Sequence, residues 1–156
     1  MSELIRVEIL ALLPTQAGCA VFLGNDSKAV LFYIDPGVGL SINAAMSGHK
    51  MPRPLTHDLY MHTLQAFGGK VSRVIIHKVD GDVFFARLII EAENEIMERK
   101  IIELDSRPSD SLAIAARSGS PVYMKMDVWN ALEDRYPLLR KMQSEDNNNG
   151  EINFSE

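Results

Sequence analysis

The chain has 156 residues, 46% hydrophobic and 24% charged, with a formal net charge of −5. That length supports one core without staples, and the balance is that of a soluble globular domain. The acid excess argues against a broad, non-specific grip on nucleic acid, while a single cysteine, Cys19, excludes an intrachain disulfide framework.

In chain order, Leu4 to Leu13 alternates loosely and stops at Pro14, which reads as a strand. Cys19 to Leu23 and Ala29 to Ile34 flank Gly24-Asn25-Asp26-Ser27, a hairpin signal. Asp35-Pro36-Gly37 feeds a short helix over Gly39 to Gly48, and two prolines stiffen the loop that follows. From Leu55 to Phe67 the apolar positions spread around a helix, as expected of one buried on more than one side. Val71 to Val79 and Val83 to Ala92 flank Asp80-Gly81-Asp82, a second hairpin, and Ile96 to Leu104 gives a sixth strand. A helix over Pro108 to Arg117, a strand over Val122 to Lys125 and a helix over Val128 to Gln143, which Pro137 should kink or split, complete the pattern. Runs of strands followed by helices make this an α+β chain. Residues 1–143 form one domain in this reading, and the polar segment 144–156 is expected to be disordered.

Two corners stand out. Asp105-Ser106-Arg107-Pro108-Ser109-Asp110 joins an apolar strand to a run of helix formers, with Pro108 suited to a first helical turn and Ser106 or Ser109 placed to cap it. Arg53-Pro54-Leu55-Thr56-His57-Asp58 repeats the order of Arg-Pro, hydroxyl residue and acid before its own helix, glycine and strand. The likeness predicts an internal duplication of a β-β-β-α unit.

Chemistry follows from these residue types. Arg53 and Arg107, with Thr56 and Ser109, suit a phosphate, which guanidinium forks hold at two points. Asp58, Asp105 and Asp110 are the carboxylates for Mg²⁺ or Mn²⁺, and His57 is the candidate general acid or base. Alternatively, each arginine pairs with its local aspartates and locks its corner. His77 reads as a strand residue, His49 and His62 as surface residues, Cys19 as a small core residue, and Glu91, Glu93, Glu95 and Glu98 as a solvated edge. No phosphate-cradling glycine loop, GxSxG elbow, HExxH pair or zinc-spaced Cys/His cluster is present. With no basic leader before an apolar run and no run near about 18 apolar residues, neither signal peptide nor membrane span is expected, and the protein is placed in the cytoplasm.

The two Arg-Pro corners, the strand Val74-Ile75-Ile76-His77 and the hairpin segment Phe84-Phe85-Ala86-Arg87-Leu88-Ile89 resemble the bifunctional nuclease domain family, from about Leu4 to about Val128. The resemblance implies duplicated three-strand-plus-helix units with helices packed between antiparallel sheets, homo-oligomer formation, for which a dimer is the first expectation, and hydrolysis of both DNA and RNA. It brings no settled catalytic set. The site residues expected from chemistry and motif are therefore His57, Asp58, Asp105 and Asp110 for catalysis, Arg53, Thr56, Arg107 and Ser109 for substrate, and Asp58, Asp105 and Asp110 for the metal. Against this stands a non-enzymatic oligomeric binding module with structural corners, or an enzyme acting on a smaller anionic substrate.

Overall fold

The computed structural model describes residues 3–150. Its first three strands, β1 (Leu4–Thr15), β2 (Gly18–Gly24) and β3 (Ala29–Ile34), form an antiparallel meander. The Asn25 side-chain carbonyl ties the β2–β3 turn by accepting from the backbone N–H of Ser27 and Lys28. α1 (Pro36–Ser47) starts on Asp35, whose carboxylate accepts from the Gly37 N–H at 2.7 Å, and ends at left-handed Gly48. After α2 (Thr56–Ala66) comes a second antiparallel meander of β4 (Gly69–Asp80), β5 (Val83–Glu93) and β6 (Arg99–Ser106). α3 (Pro108–Ser118), β7 (Val122–Lys125), α4 (Met126–Ala131) and α5 (Tyr136–Gly150) follow.

The α+β class holds, but the two meanders belong to one seven-stranded sheet ordered β3-β2-β1-β7-β4-β5-β6. Four-residue β7 joins them, antiparallel to β1 and parallel to β4. β1 pairs with β7 through Leu4 to Val7 and with β2 from Glu8 onward, with a register shift between Ile9 and Ala11 inside the part paired with β2; such irregularities bend a strand and sharpen its twist. The two meanders meet, with the Phe32 and Phe84 rings 5.2 Å apart. One core takes in Val21 and Phe32 from the first meander, Val74 and Leu88 from the second, Ile42 from α1 and Leu112 from α3. α5 covers the opposite face of the first meander, where Leu139 meets Phe22 and Ala20.

The β-β-β-α order recurs, as β1-β2-β3-α1 and β4-β5-β6-α3, but a duplication built on the two corners is not shown. The helix that follows the first meander is α1, whereas the Arg53 corner precedes α2, an element without a counterpart between β6 and β7. The corners are alike in sequence and unlike in topological place. Pro137 splits the last helix: α4 ends at Ala131 and α5 begins anew at Tyr136 with the proline in its first turn. Ser144 to Gly150, expected to be disordered, continues α5, since extending an existing helix costs little once nucleated. Residues 151–156 of the expected tail lie outside the described residues. No helix among the described residues is long and apolar enough to cross a membrane.

Candidate functional site

Three helices converge on His57. It sits in the first turn of α2, where the stiff Met51-Pro52-Arg53-Pro54 approach fixes the helix start. Asp110 occupies the first turn of α3, and its Oδ1 lies 2.9 Å from His57 Nε2. On the other side of the ring, Nδ1 lies 2.7 Å from Ser41 Oγ, at mid-length of α1. Arg117, in the last turn of α3, donates from its terminal nitrogen to Ser41 Oγ at 3.0 Å and from Nε to Asp58 Oδ1 at 2.6 Å. Asp58 Oδ2 in turn accepts from the Leu55 N–H at 2.8 Å, closing the free end of α2.

The donor count orients the chain. Arg117 can only donate, so Ser41 accepts from it. The Asp110 carboxylate can only accept, so in the neutral ring the proton on Nε2 serves Asp110 and Nδ1 accepts the Ser41 hydroxyl hydrogen. Exposure grades along the chain: side-chain Asp110 is 46% exposed and His57 13%, while Ser41 is 5% exposed and side-chain Arg117 9%. The Arg117 guanidinium holds the Asp58 carboxyl below its ordinary range. Ser41, Thr56 and His57 open onto a groove of about 930 Å³ whose wall includes Leu40, Asn43 and Met51.

The expected site residues are only partly gathered. His57 and Asp110 meet, and Asp58 is bound to the same chain through Arg117 and Ser41. Thr56 is exposed on the groove. Arg53 is exposed over an adjoining hollow that also contains Asp58, His62 and Arg117. Arg107 is exposed at the cap position of α3, and Ser109 is half-buried in its first turn. Neither serine caps the helix: Ser106 Oγ donates to the Arg107 carbonyl, and Arg107 at the cap makes no side-chain capping bond. Among the described residues neither Arg53 nor Arg107 forms a side-chain hydrogen bond or ion pair, so the expected local Arg–Asp locks are absent. The guanidinium that does lock a corner is Arg117.

Asp105 lies apart, exposed near the end of β6 opposite Arg87. The three carboxylates expected to hold Mg²⁺ or Mn²⁺ do not form a cage: Asp58 is engaged by Arg117 and Asp110 by His57. Among the described residues no group of three or more His, Cys, Asp or Glu is placed to hold a metal ion. Among the described residues these three carboxylates are thus not gathered as one ligand set.

Ser41 and Arg117 were not foreseen. Arg117 had a signal, since it follows Asp110 by two helical turns and shares its face. Ser41 had none, being a small residue in a helix that also carries Asn43 and Ser47.

A sequence profile described as the bifunctional nuclease domain matches residues 21–135. The chain belongs to the bifunctional nuclease domain family. Two uncharacterized proteins of Mycobacterium tuberculosis, from strains CDC 1551 and H37Rv, are each 33% identical to it over 101 residues. Those matches cover 65% of this chain and 57% of each relative, so the chain spans little more than half the length of the curated relatives it matches. Every residue of the Ser41–His57–Asp110 chain, with Asp58 and Arg117, falls within the stretch matched by the bifunctional nuclease domain.

Proposed function

We propose that this protein is a nuclease that hydrolyses phosphodiester bonds of DNA and RNA, with His57 as its proton-moving group. The observation that carries the reading is the hydrogen-bonded series Asp110, His57, Ser41, of which His57 and Ser41 line a groove; family membership supports it. Asp110 fixes the ring and stabilises its protonated form, as an orienting carboxylate does. Nδ1 accepts the Ser41 proton while Ser41 Oγ accepts one from water; the resulting hydroxide oxygen bonds to phosphorus as the P–O bond to the leaving group breaks. The leaving oxygen takes a proton from water and departs as an alcohol, and the imidazolium releases its proton through Ser41 to the hydroxide so formed, which restores the neutral ring. Arg53 and Arg107, both exposed, serve the phosphate oxygens. Thr56 is the hydroxyl nearest in sequence to His57 on the groove. The proposal includes a homo-oligomer, a dimer first, working in the cytoplasm with a transient hold on nucleic acid.

The test is cleavage of labelled single-stranded RNA and DNA by wild type and by His57→Gln, purified identically, in Mg²⁺, Mn²⁺ or EDTA. General acid–base groups contribute about 10²–10⁴-fold, so His57→Gln is expected to lose at least about 10²-fold with unchanged circular dichroism. Equal cleavage by both proteins refutes the assignment.

A second reading has its own observation. Ser41 and Arg117 are almost fully enclosed and tie α1, α2 and α3 together. In a binding module that network is a lock between helices. Under this reading wild type does not cleave, and His57→Gln lowers the melting temperature.

A further inference from the structure

Segment 48–54 separates two hollows. On one side lies the groove containing Ser41 and His57, and on the other the hollow containing Arg53, Asp58 and Arg117. Two prolines hold the segment, and it carries His49, Lys50 and Arg53, all exposed. The only carboxylate among the residues around the second hollow is Asp58, which Arg117 neutralises at 2.6 Å. A chain with a net charge of −5 thus presents a local cationic ridge.

The groove beside the ridge has a different character. Leu40 and Met51 face it and are large, apolar and exposed, at 71% and 44%. The half-buried Val38 and Leu55 continue that surface, and Asn43 supplies a donor and an acceptor. Its volume, about 930 Å³, lies within the range of clefts that enclose small ligands, about 300–1,000 Å³. The groove also has hydroxyls, His57 and the exposed carboxylate of Asp35 on its wall, but most of its surface is apolar and cations border one side, which matches a ligand with a flat apolar body strung on an anionic chain.

We propose that the ridge and the groove together form a subsite for unpaired nucleic acid, the ridge following the phosphates and the groove receiving a base against Leu40 and Met51. The proposal rests on the nucleic-acid reading above and narrows it to single strands. Paired bases are stacked inside a duplex, and bringing one to the groove requires unstacking it. A single strand offers its bases freely, and their affinity for apolar and aromatic surfaces is tolerant of sequence. Phosphate contacts alone would not discriminate, since both forms carry them.

The experiment is fluorescence anisotropy in EDTA with labelled oligothymidylate, the same length of abasic strand, and a blunt duplex. Wild type is expected to bind oligothymidylate at least about tenfold more tightly than the abasic strand or the duplex. Leu40→Ala/Met51→Ala should remove that preference and leave abasic binding unchanged. Lys50→Glu should weaken all three ligands and flatten the salt dependence. Lys141→Glu on α5, far along the chain from the ridge, serves as the charge control, and circular dichroism reports folding for each variant. The proposal fails if wild type binds none of the ligands, if duplex binds as well as single strand, or if the Leu40/Met51 variant keeps its preference. Loss in both charge variants alike assigns the hold to overall charge and also overturns it. Cleavage is scored separately in the same preparations. Preferential binding without cleavage removes the nuclease reading and keeps the subsite; cleavage without preferential binding does the reverse.

Discussion

Among the individual side chains, Arg117 carries the most consequence, because it donates to Asp58, to Ser41 and to the Ala113 carbonyl at once. Removing it leaves a carboxylate that is only partly exposed without its cation and a buried hydroxyl without its donor. Hydrogen bonds to charged groups contribute about 1.5–3 kcal/mol each, so Arg117→Ala should destabilise by about 2–3 kcal/mol in urea unfolding, with Asp58 recovering some solvent contact. Asp58 also gives a pH signature with a definite sign. Arg117 lowers its folded carboxyl pKa below the ordinary 3.8, so its stabilisation is complete above that value and is lost as pH falls through the lower, folded one. Between pH 5 and about 3 the urea midpoint of wild type should therefore drop more steeply than that of Asp58→Asn. Parallel curves would mean that the ion pair contributes nothing to folding. The same residue shows why composition misleads: Asp58 has the look of a metal ligand in the sequence and is occupied as a counter-ion in the fold.

At the level of elements, α1 is positioned by its contact with β2. A Cβ on Gly39 would lie 2.9 Å from both Cβ and Sγ of Cys19, closer than such atoms approach. Gly39→Ala would gain about 1 kcal/mol of helix propensity and meet an overpacking cost of about 1–3 kcal/mol. The expected result is a lower melting temperature together with weaker catalysis, because the shift moves Ser41 two residues along the same helix. A variant as stable as wild type would show that α1 can retreat freely. The strands were legible from hairpin signals: Gly24-Asn25-Asp26-Ser27 and Asp80-Gly81-Asp82 both mark turns between antiparallel partners. Pro108 likewise marked the start of α3. What pattern alone could not supply was pairing at a distance. Nothing local in Val122 to Lys125 says that it bridges β1 and β4, and without that bridge two sheets were the natural expectation. The corners suffered the same limit. Their shared Arg-Pro, hydroxyl and acid order suggested equivalence, whereas helix α1, which holds Ser41, one of the two partners of His57, carries neither motif.

For the molecule as a whole, the short strand β7 decides how the chain unfolds. It is hydrogen-bonded to β1 on one side and to β4 on the other, and its Met124 is fully buried in the core shared by both meanders. A sheet divided into two independent halves would melt in two steps. Here the Phe32–Phe84 contact and the common core join the inner faces of both meanders, and the cluster under α5 rests on the outer face of the first, so cooperative loss is expected. Two probes separate these cases. Trp129, the single tryptophan, reports the α4 region of the core, and far-ultraviolet circular dichroism reports the whole backbone. Their urea transitions should coincide. Met124→Ala should cost about 2–5 kcal/mol, as large-to-small substitutions in tight cores do, and shift both probes to the same lower midpoint. If β7 were instead a passive filler, the substitution would separate the curves, with fluorescence falling first while the dichroism of the outer strands persisted. Coincident curves would extend to the site as well, since Ser41 and the His57–Asp110 pair stand on helices packed into that one core, and residual cleavage should then track the folded fraction throughout the transition.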